Sequence, residues 1–253
     1  MLDLYHAEPA ANSLKVLVAF QEKGLDFNSH LVNLHKFQQH EDWYLKINPN
    51  GQVPALVHDG AVITESTVIN EYVDEVFPEN PLKPDTPLGR ARMRIWTKFV
   101  DEYFCPALSH LAWHYMIRGI TDSLTEQQFE EYLSRIPLKE QRDKWRVSAE
   151  QGNPPEQLAE WRRKVNVSVD RMEATLKENE WLAGDTFSLA DVACFAMSPG
   201  LPQRFSDFAN EKDTPHFIDW LNRMYEREGV KAALNMPNPV QESGEAPPMP
   251  NKW

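Results

Sequence analysis

The sequence has only two cysteines, Cys105 and Cys194, far apart and with no CxxC spacing. This argues against a disulfide scaffold and suits a reducing, cytoplasmic setting. It also lacks a positive surplus. The formal net charge is −12, so there is no positive surplus to neutralise phosphates, and nucleic acid is not an expected partner. No window approaches 18 uninterrupted apolar residues, so no membrane-spanning helix is expected. The opening "MLDLYHAEPA" has no basic region followed by an apolar run, and no signal peptide is expected. Internal repeats are absent. His110 and His114 stand four apart, but no adjacent Glu makes HExxH and no third ligand is evident, so no metal is expected. No Ser/His nucleophile triad is recognisable either. What remains is 253 residues of ordinary apolar content, enough for one large domain or two modest ones.

The first eighty residues alternate in character. "LDLYH" (2–6) reads as a strand. "SLKVLVAFQEKG" (13–24) reads as a helix, with Gly24 as its stop. "DFNSHLVNL" (26–34) alternates partially, and residues 35–47 show no clear period. "ALVHDGAVIT" (55–64) is two apolar runs joined by Asp59-Gly60, a hairpin signal. "ESTVINEYVDEVF" (65–77) sets Val68, Ile69, Tyr72, Val73, Val76 and Phe77 on one helical face. The order reads β-α-β-α-β-β-α. "PENPLKPDTP" (78–87) then breaks the pattern with four prolines. Beyond it come helical patterns at 88–118, 125–136, 156–182 and 214–227, with a charged, irregular stretch at 137–155. Ser188 and Asp191 have capping-box spacing ahead of "VACFAM". The end is proline-rich. The expected fold class is α/β plus all-α: a domain at 1–80, a linker at 81–87, a helical domain at 88–235 and an irregular tail at 236–253.

Four short constellations carry possible chemistry. Gln52, Val53 and Pro54 precede the hairpin; a cis Val53-Pro54 bond would turn backbone groups outward toward a ligand, whereas a trans bond would make an ordinary turn. Glu65 and Ser66 open a helix, where an acid and a set of N–H groups match the zwitterionic end of an α-amino acid, or simply begin a soluble helix. Gln39 and His40 can donate to a carboxylate, or belong to a solvated loop. Asn12 and Ser13 stand at another helix start, where the positive dipole lowers thiol pKa values; capping and thiolate binding are compatible there.

In this joint order, with the proline linker and Ser188-Leu-Ala-Asp191, these residues resemble the cytosolic glutathione transferases over about residues 1–235. "KFQQHEDWYLKINPNGQVPALVHDG", "VITESTVINEYVDEVFPE", "RMRIWTKFVDEYFC", "QFEEYLSRIPLKEQRDKW" and "VNVSVDRMEATL" look like the bacterial glutathione-dependent β-etherases of lignin catabolism, F-type branch. The charged segment at 119–160, which ordinary glutathione transferases lack, belongs to that likeness. At 6–11 the chain reads "HAEPAA", where the branch leads one to expect a glycine-containing loop.

The resemblance implies a thioredoxin-like N-terminal domain that binds glutathione as co-substrate and a C-terminal helical bundle that binds the second substrate. Gln52, Val53 and Pro54 would meet the cysteinyl backbone, Glu65 and Ser66 the γ-glutamyl end, and Gln39 and His40 the glycyl carboxylate. Asn12 or Ser13 would face the sulfur as catalytic residues. No tyrosine stands at the matching activation position. Tyr103, Phe104, Trp113, His114 and Tyr115 would line an aromatic pocket, although aromatic stripes at helical spacing are more often core. The implied reaction is displacement of a phenolate from an aryl-ether carbon, with inversion and a glutathione thioether as product. The alternatives are a conjugating, dehalogenating or isomerising transferase of the same fold, or a non-catalytic scaffold. The family also implies a dimer, homomeric or heteromeric.

Overall fold

A computed structural model of the chain describes residues 1–121 and 124–238; most of the tail read at 236–253 therefore lies outside the described residues. Strand β1 (Leu2–His6) buries alternate side chains, Leu2, Leu4 and His6. Helix α1 (Ala11–Lys23) is buried from Ser13 through Phe20, on nearly every side. That explains the almost continuous apolar run "LKVLVAF": the helix is packed against helices of both halves. It stops at Gly24, whose left-handed backbone (φ 66°) sends its N–H back to the Gln21 and Phe20 carbonyls.

Strand β2 (Asn28–Leu31) runs parallel to β1, whereas β3 (Ala55–His58) pairs antiparallel with it and β4 (Ala61–Thr64) antiparallel with β3. The sheet order is β2-β1-β3-β4. Asp59 and Gly60 both take positive φ (48° and 87°), as the tight hairpin requires. Between β2 and β3 the segment without a clear period folds into two single turns, Leu34–Lys36 and Gln38–His40, and the short helix α2 (Asp42–Leu45). Helix α3 (Ser66–Val76) follows the hairpin. Its buried apolar face is narrower than expected: Ile69 and Val73 are buried, while Val68 and Val76 are exposed.

The stretch after α3 is irregular but anchored. The Leu82 N–H donates to Asp74 Oδ1, and the Leu82 carbonyl accepts from Leu189 N–H. Helix α4 (Pro87–Phe99) starts at a Thr86 cap and continues through a π-turn, Val100–Phe104, into α5 (Cys105–Thr121). Pro106 accounts for the π-turn. It has no N–H, and its ring would crowd the carbonyl four residues back, so the helix widens and Cys105 N–H reaches Val100 O instead.

Helices α6 (Glu126–Arg135) and α7 (Lys139–Arg146) occupy the charged segment. The expectation that 137–155 is irregular was wrong for α7. That helix buries Trp145 as its single deep anchor, too sparse a pattern to register as a period. The remaining helices are α8 (Pro155–Leu176), α9 (Leu189–Met197), α10 (Leu201–Arg204), α11 (Pro215–Glu226) and α12 (Glu228–Leu234). The architecture is a mixed four-stranded sheet with helices, followed by an all-helical half, as the sequence leads one to expect. One main core runs through both halves, from Leu4, Leu17 and Phe20 to Phe195 and Trp220. A second cluster gathers Phe37, Phe129, Leu133, Ile136 and Trp145. Through it the α6–α7 segment packs on the Leu34–His40 turns: Phe37 stacks on Tyr132 at 4.2 Å and meets Trp145 at 5.0 Å.

Candidate functional site

The loop "HAEPAA" closes without glycine because Ala11 itself takes a positive φ of 44°. Ser13 Oγ accepts the Ala7 N–H at 3.0 Å, and the His6 ring bridges Ala7 O and Ser29 Oγ. Neither Asn12 nor Ser13 is the helix cap; the cap position is Ala10, which has no side chain to serve it. Ser13 is buried and braces the loop, while its hydroxyl proton remains available to donate. Asn12 faces outward from the first half. Its Oδ1 accepts from Ser66 Oγ at 3.4 Å and stands 3.9 Å from Cys105 Sγ. Two candidate residues 54 positions apart thus meet at the N-termini of α1 and α3. Just beneath, the buried Lys15 ammonium ties the halves together, donating to Asp101 Oδ1 at 2.7 Å and Thr67 Oγ1 at 3.2 Å.

Glu65 carries a positive φ (67°), unusual outside glycine. Such backbone strain persists where the surrounding structure fixes it, and it clusters at ligand sites. It delivers Ser66 to the first turn of α3, where free N–H groups and the helix dipole favour an anion. The Val53-Pro54 bond is cis. The turn before it is clamped by the Gln52 carbonyl, which accepts from Tyr44 Oη at 2.6 Å and Asn48 Nδ2 at 2.7 Å. Burial pushes the Tyr44 phenol above its ordinary range, so it stays a protonated donor.

Gln39 and His40 are both buried at the Gln38–His40 turn. Gln39 Oε1 and His40 Nδ1 have no hydrogen-bond partner among the described residues, which is uncommon for buried polar atoms. Burial also holds the His40 imidazole down to about 4, so it is neutral at pH 7. Gly51 completes this corner. Its φ is +62°, and a Cβ there would stand 2.7 Å from His40 Cδ2.

The aromatic set divides. Phe104 is fully buried in the main core and presents no wall, so packing claimed it rather than a pocket. Tyr103 stacks on Phe99 at 5.2 Å, with the Lys164 ammonium 5.5 Å from its ring centre. Trp113 meets Trp145 edge-on at 4.9 Å, with the Lys144 ammonium 4.2 Å from its ring centre. His114 lies edge-on to Tyr115, and its Nδ1 is 3.5 Å from Asn153 Nδ2. His110 does not join His114. It stacks flat on Trp161 at 4.5 Å, and burial holds its imidazole down to about 4. The sequence reading missed Tyr44, Asn48, Lys15 and Lys144. Lys15, inside an apolar helical run, is the one of these whose position alone marked it as a buried charge.

The family model described as Glutathione S-transferase, N-terminal domain, matches residues 1–75, and that for the C-terminal domain matches residues 104–228. A curated relative, Protein LigF of Sphingobium sp. (strain NBRC 103272 / SYK-6), is 48% identical over 91% of this chain and 91% of its own length. The crystal structure of Beta-etherase LigF from Sphingobium sp. strain SYK-6 superposes with a TM-score of 0.90 at 46% identity, covering 93% of this chain and 99% of that one. A glutathione transferase homologue from sulfitobacter, solved with bound glutathione, shares the fold at a TM-score of 0.67 and 23% identity, covering 96% of this chain and 98% of that one.

Proposed function

The chain belongs to the glutathione S-transferase family, and on that premise we propose that it cleaves β-aryl ether bonds of lignin-derived aromatics with glutathione as co-substrate. The observation that carries the reading is the likeness to a β-etherase at 46% identity across almost the whole of both chains. The residues present suit glutathione. The unpartnered, buried Gln39 Oε1 and His40 Nδ1 call for a polar ligand at their turn. Glu65 supplies a carboxylate for an ammonium beside the N–H groups of α3, and Val53 brings a backbone edge next to the cis peptide bond.

When bound, glutathione supplies the nucleophile, a thiolate that displaces a phenolate from the ether carbon with inversion. Asn12 and Ser13 hold donors and the positive end of α1 toward that sulfur, favouring its ionised form. Alignment of the two reactants supplies a further share of the rate. Trp113, Tyr115 and Tyr103 offer aromatic faces for the aryl rings, and His114 a polar contact. The glutathione-binding domain is assigned to residues 1–80, the linker to 81–87 and the substrate-binding domain to 88–235. A cytoplasmic homodimer fits this family, with a heterodimer as the alternative; gel filtration with light scattering distinguishes monomer from dimer.

Incubation with glutathione and a β-aryl ether ketone tests the reading. Equal amounts of free phenol and glutathione thioether are expected. Turnover of a chloroarene but no ether would favour the general conjugating transferase, and glutathione binding without any turnover a scaffold. The Gly51→Ala variant should bind glutathione about tenfold more weakly by calorimetry. The new methyl displaces His40 and strains a left-handed backbone, at a combined cost of about 1–2 kcal/mol. Unchanged affinity would place the ligand away from His40.

A further inference from the structure

Lys144 lies on α7, in the charged segment whose residues the sequence reading left without a role. Its Nζ donates to Ser109 Oγ at 3.1 Å and stands 4.2 Å from the centre of the Trp113 ring. Cys105, Ser109 and Trp113 follow one another at four-residue steps on α5 and so share one face of that helix. Cys105 Sγ is itself 3.9 Å from Asn12 Oδ1. A continuous stripe therefore leaves the N-terminus of α1 at Asn12 and climbs α5. Each step rises about 6 Å, so the ammonium is met one turn beyond Cys105. The titratable and charged groups around it are Cys105 and the neutral His110 on α5, with Lys164 on α8 beyond His110. Among the described residues Lys144 makes no ion pair with a carboxylate. A partly desolvated ammonium held by a hydroxyl and an aromatic face, without a counter-ion, is a receptor for an anionic oxygen.

We propose that Lys144 is a catalytic residue that donates to the departing aryl oxygen, a role that rests on the ether-cleaving reading above. The carbon–sulfur bond forms as the carbon–oxygen bond breaks. The electron pair of the broken bond stays on the aryl oxygen, which takes its proton from Nζ; solvent then restores the ammonium. Burial holds the Lys144 ammonium down to about 8. A phenol titrates near 10, as tyrosine does, so the transfer runs downhill.

The test compares wild type, Lys144→Met and Lys144→Arg on aryl ethers whose leaving phenols range from acidic nitrophenols to unactivated phenol. For the unactivated phenol, kcat/KM of Lys144→Met should fall about 100- to 1,000-fold, and for the 4-nitrophenyl ether less than about tenfold. Lys144→Arg keeps the positive charge but cannot yield a proton to a phenolate, so its leaving-group dependence should steepen towards that of Lys144→Met. Glutathione affinity, unchanged in both variants, excludes misfolding as the cause. A uniform loss across leaving groups, or no loss, overturns the assignment. Spectrophotometric titration of 4-nitrophenol with the glutathione-loaded protein needs no turnover. Wild type should lower the apparent pKa of the bound phenol, and Lys144→Met should abolish that shift; equal behaviour of the two overturns the proposal. Failure of wild type to cleave any ether sinks the ether reading itself, and the titration then still decides whether Lys144 holds an aryl oxyanion.

Discussion

Replacing Asp191 with alanine is expected to lower the melting temperature by about 10 °C. The carboxylate is wholly buried at the start of α9. Its Oδ1 accepts from Leu182 N–H at 3.0 Å and Trp220 Nε1 at 3.1 Å, and its Oδ2 from Ser188 N–H at 3.0 Å and Ser188 Oγ at 3.3 Å. Alanine leaves these donors buried without an acceptor and removes the capping box. Such losses cost about 3–5 kcal/mol together, and a chain of this size shifts by roughly 2–4 °C per kcal/mol. Burial outweighs the four donors and raises the Asp191 carboxyl to about 6. The folded state therefore holds this proton more tightly than the unfolded chain, whose carboxyl titrates near 3.9. The contribution of this group to stability falls as pH rises from about 4 through 6, and that slope should be missing in the variant. Calorimetric melting at several pH values reads both effects. A shift under about 2 °C would mean that the capping box is dispensable.

Ser66→Ala should raise the dissociation constant of glutathione about 10- to 100-fold while leaving the melting temperature nearly unchanged. Ser66 is the buried first residue of α3; its single hydroxyl proton, directed at Asn12 Oδ1 over a long 3.4 Å, would turn to the γ-glutamyl carboxylate on binding. A hydrogen bond to a charged group contributes about 1.5–3 kcal/mol. The strained Glu65 backbone fixes the position of that hydroxyl before any ligand arrives. Isothermal calorimetry measures the change. An affinity within twofold of wild type would move the γ-glutamyl end away from α3.

Much of this was legible because local rules and tertiary structure agreed. Asp59-Gly60 required a tight hairpin, and Gly24 ended α1 where the helical period ended. Ser188 and Asp191 formed the capping box that their spacing implied. The misses have physical reasons. Helix α7 buries Trp145 deeply and little else, so its amphipathic signal was drowned by charge. Val68 and Val76 matched the helical face by spacing but stay exposed, because the face that α3 buries pairs Ile69 and Val73 with the polar Ser66, Asn70 and Asp74 and so is turned away from them. The helical run at 88–118 hid a π-turn whose cause, Pro106, was in plain view.

The candidate site was legible as a set of residue types, less so as geometry. Asn12 and Ser66 are 54 residues apart, and only the fold brings their side chains together. Asn12 and Ser13 looked equivalent in sequence. In the fold Ser13 braces the loop while Asn12 reaches toward α3 and α5. Phe104 was indistinguishable from its neighbours until the main core took it. Lys144 escaped notice because a lysine within "LKEQRDKW" reads as solvated; packing against Trp113 and Ser109 leaves it only half-exposed to water.

Chiral chromatography of a racemic β-aryl ether ketone incubated with the protein and glutathione tests the central claim most directly. One enantiomer should disappear, with one phenol released per ether lost and a glutathione thioether of inverted configuration formed in its place. Persistence of both enantiomers alongside measurable glutathione binding would contradict the etherase assignment.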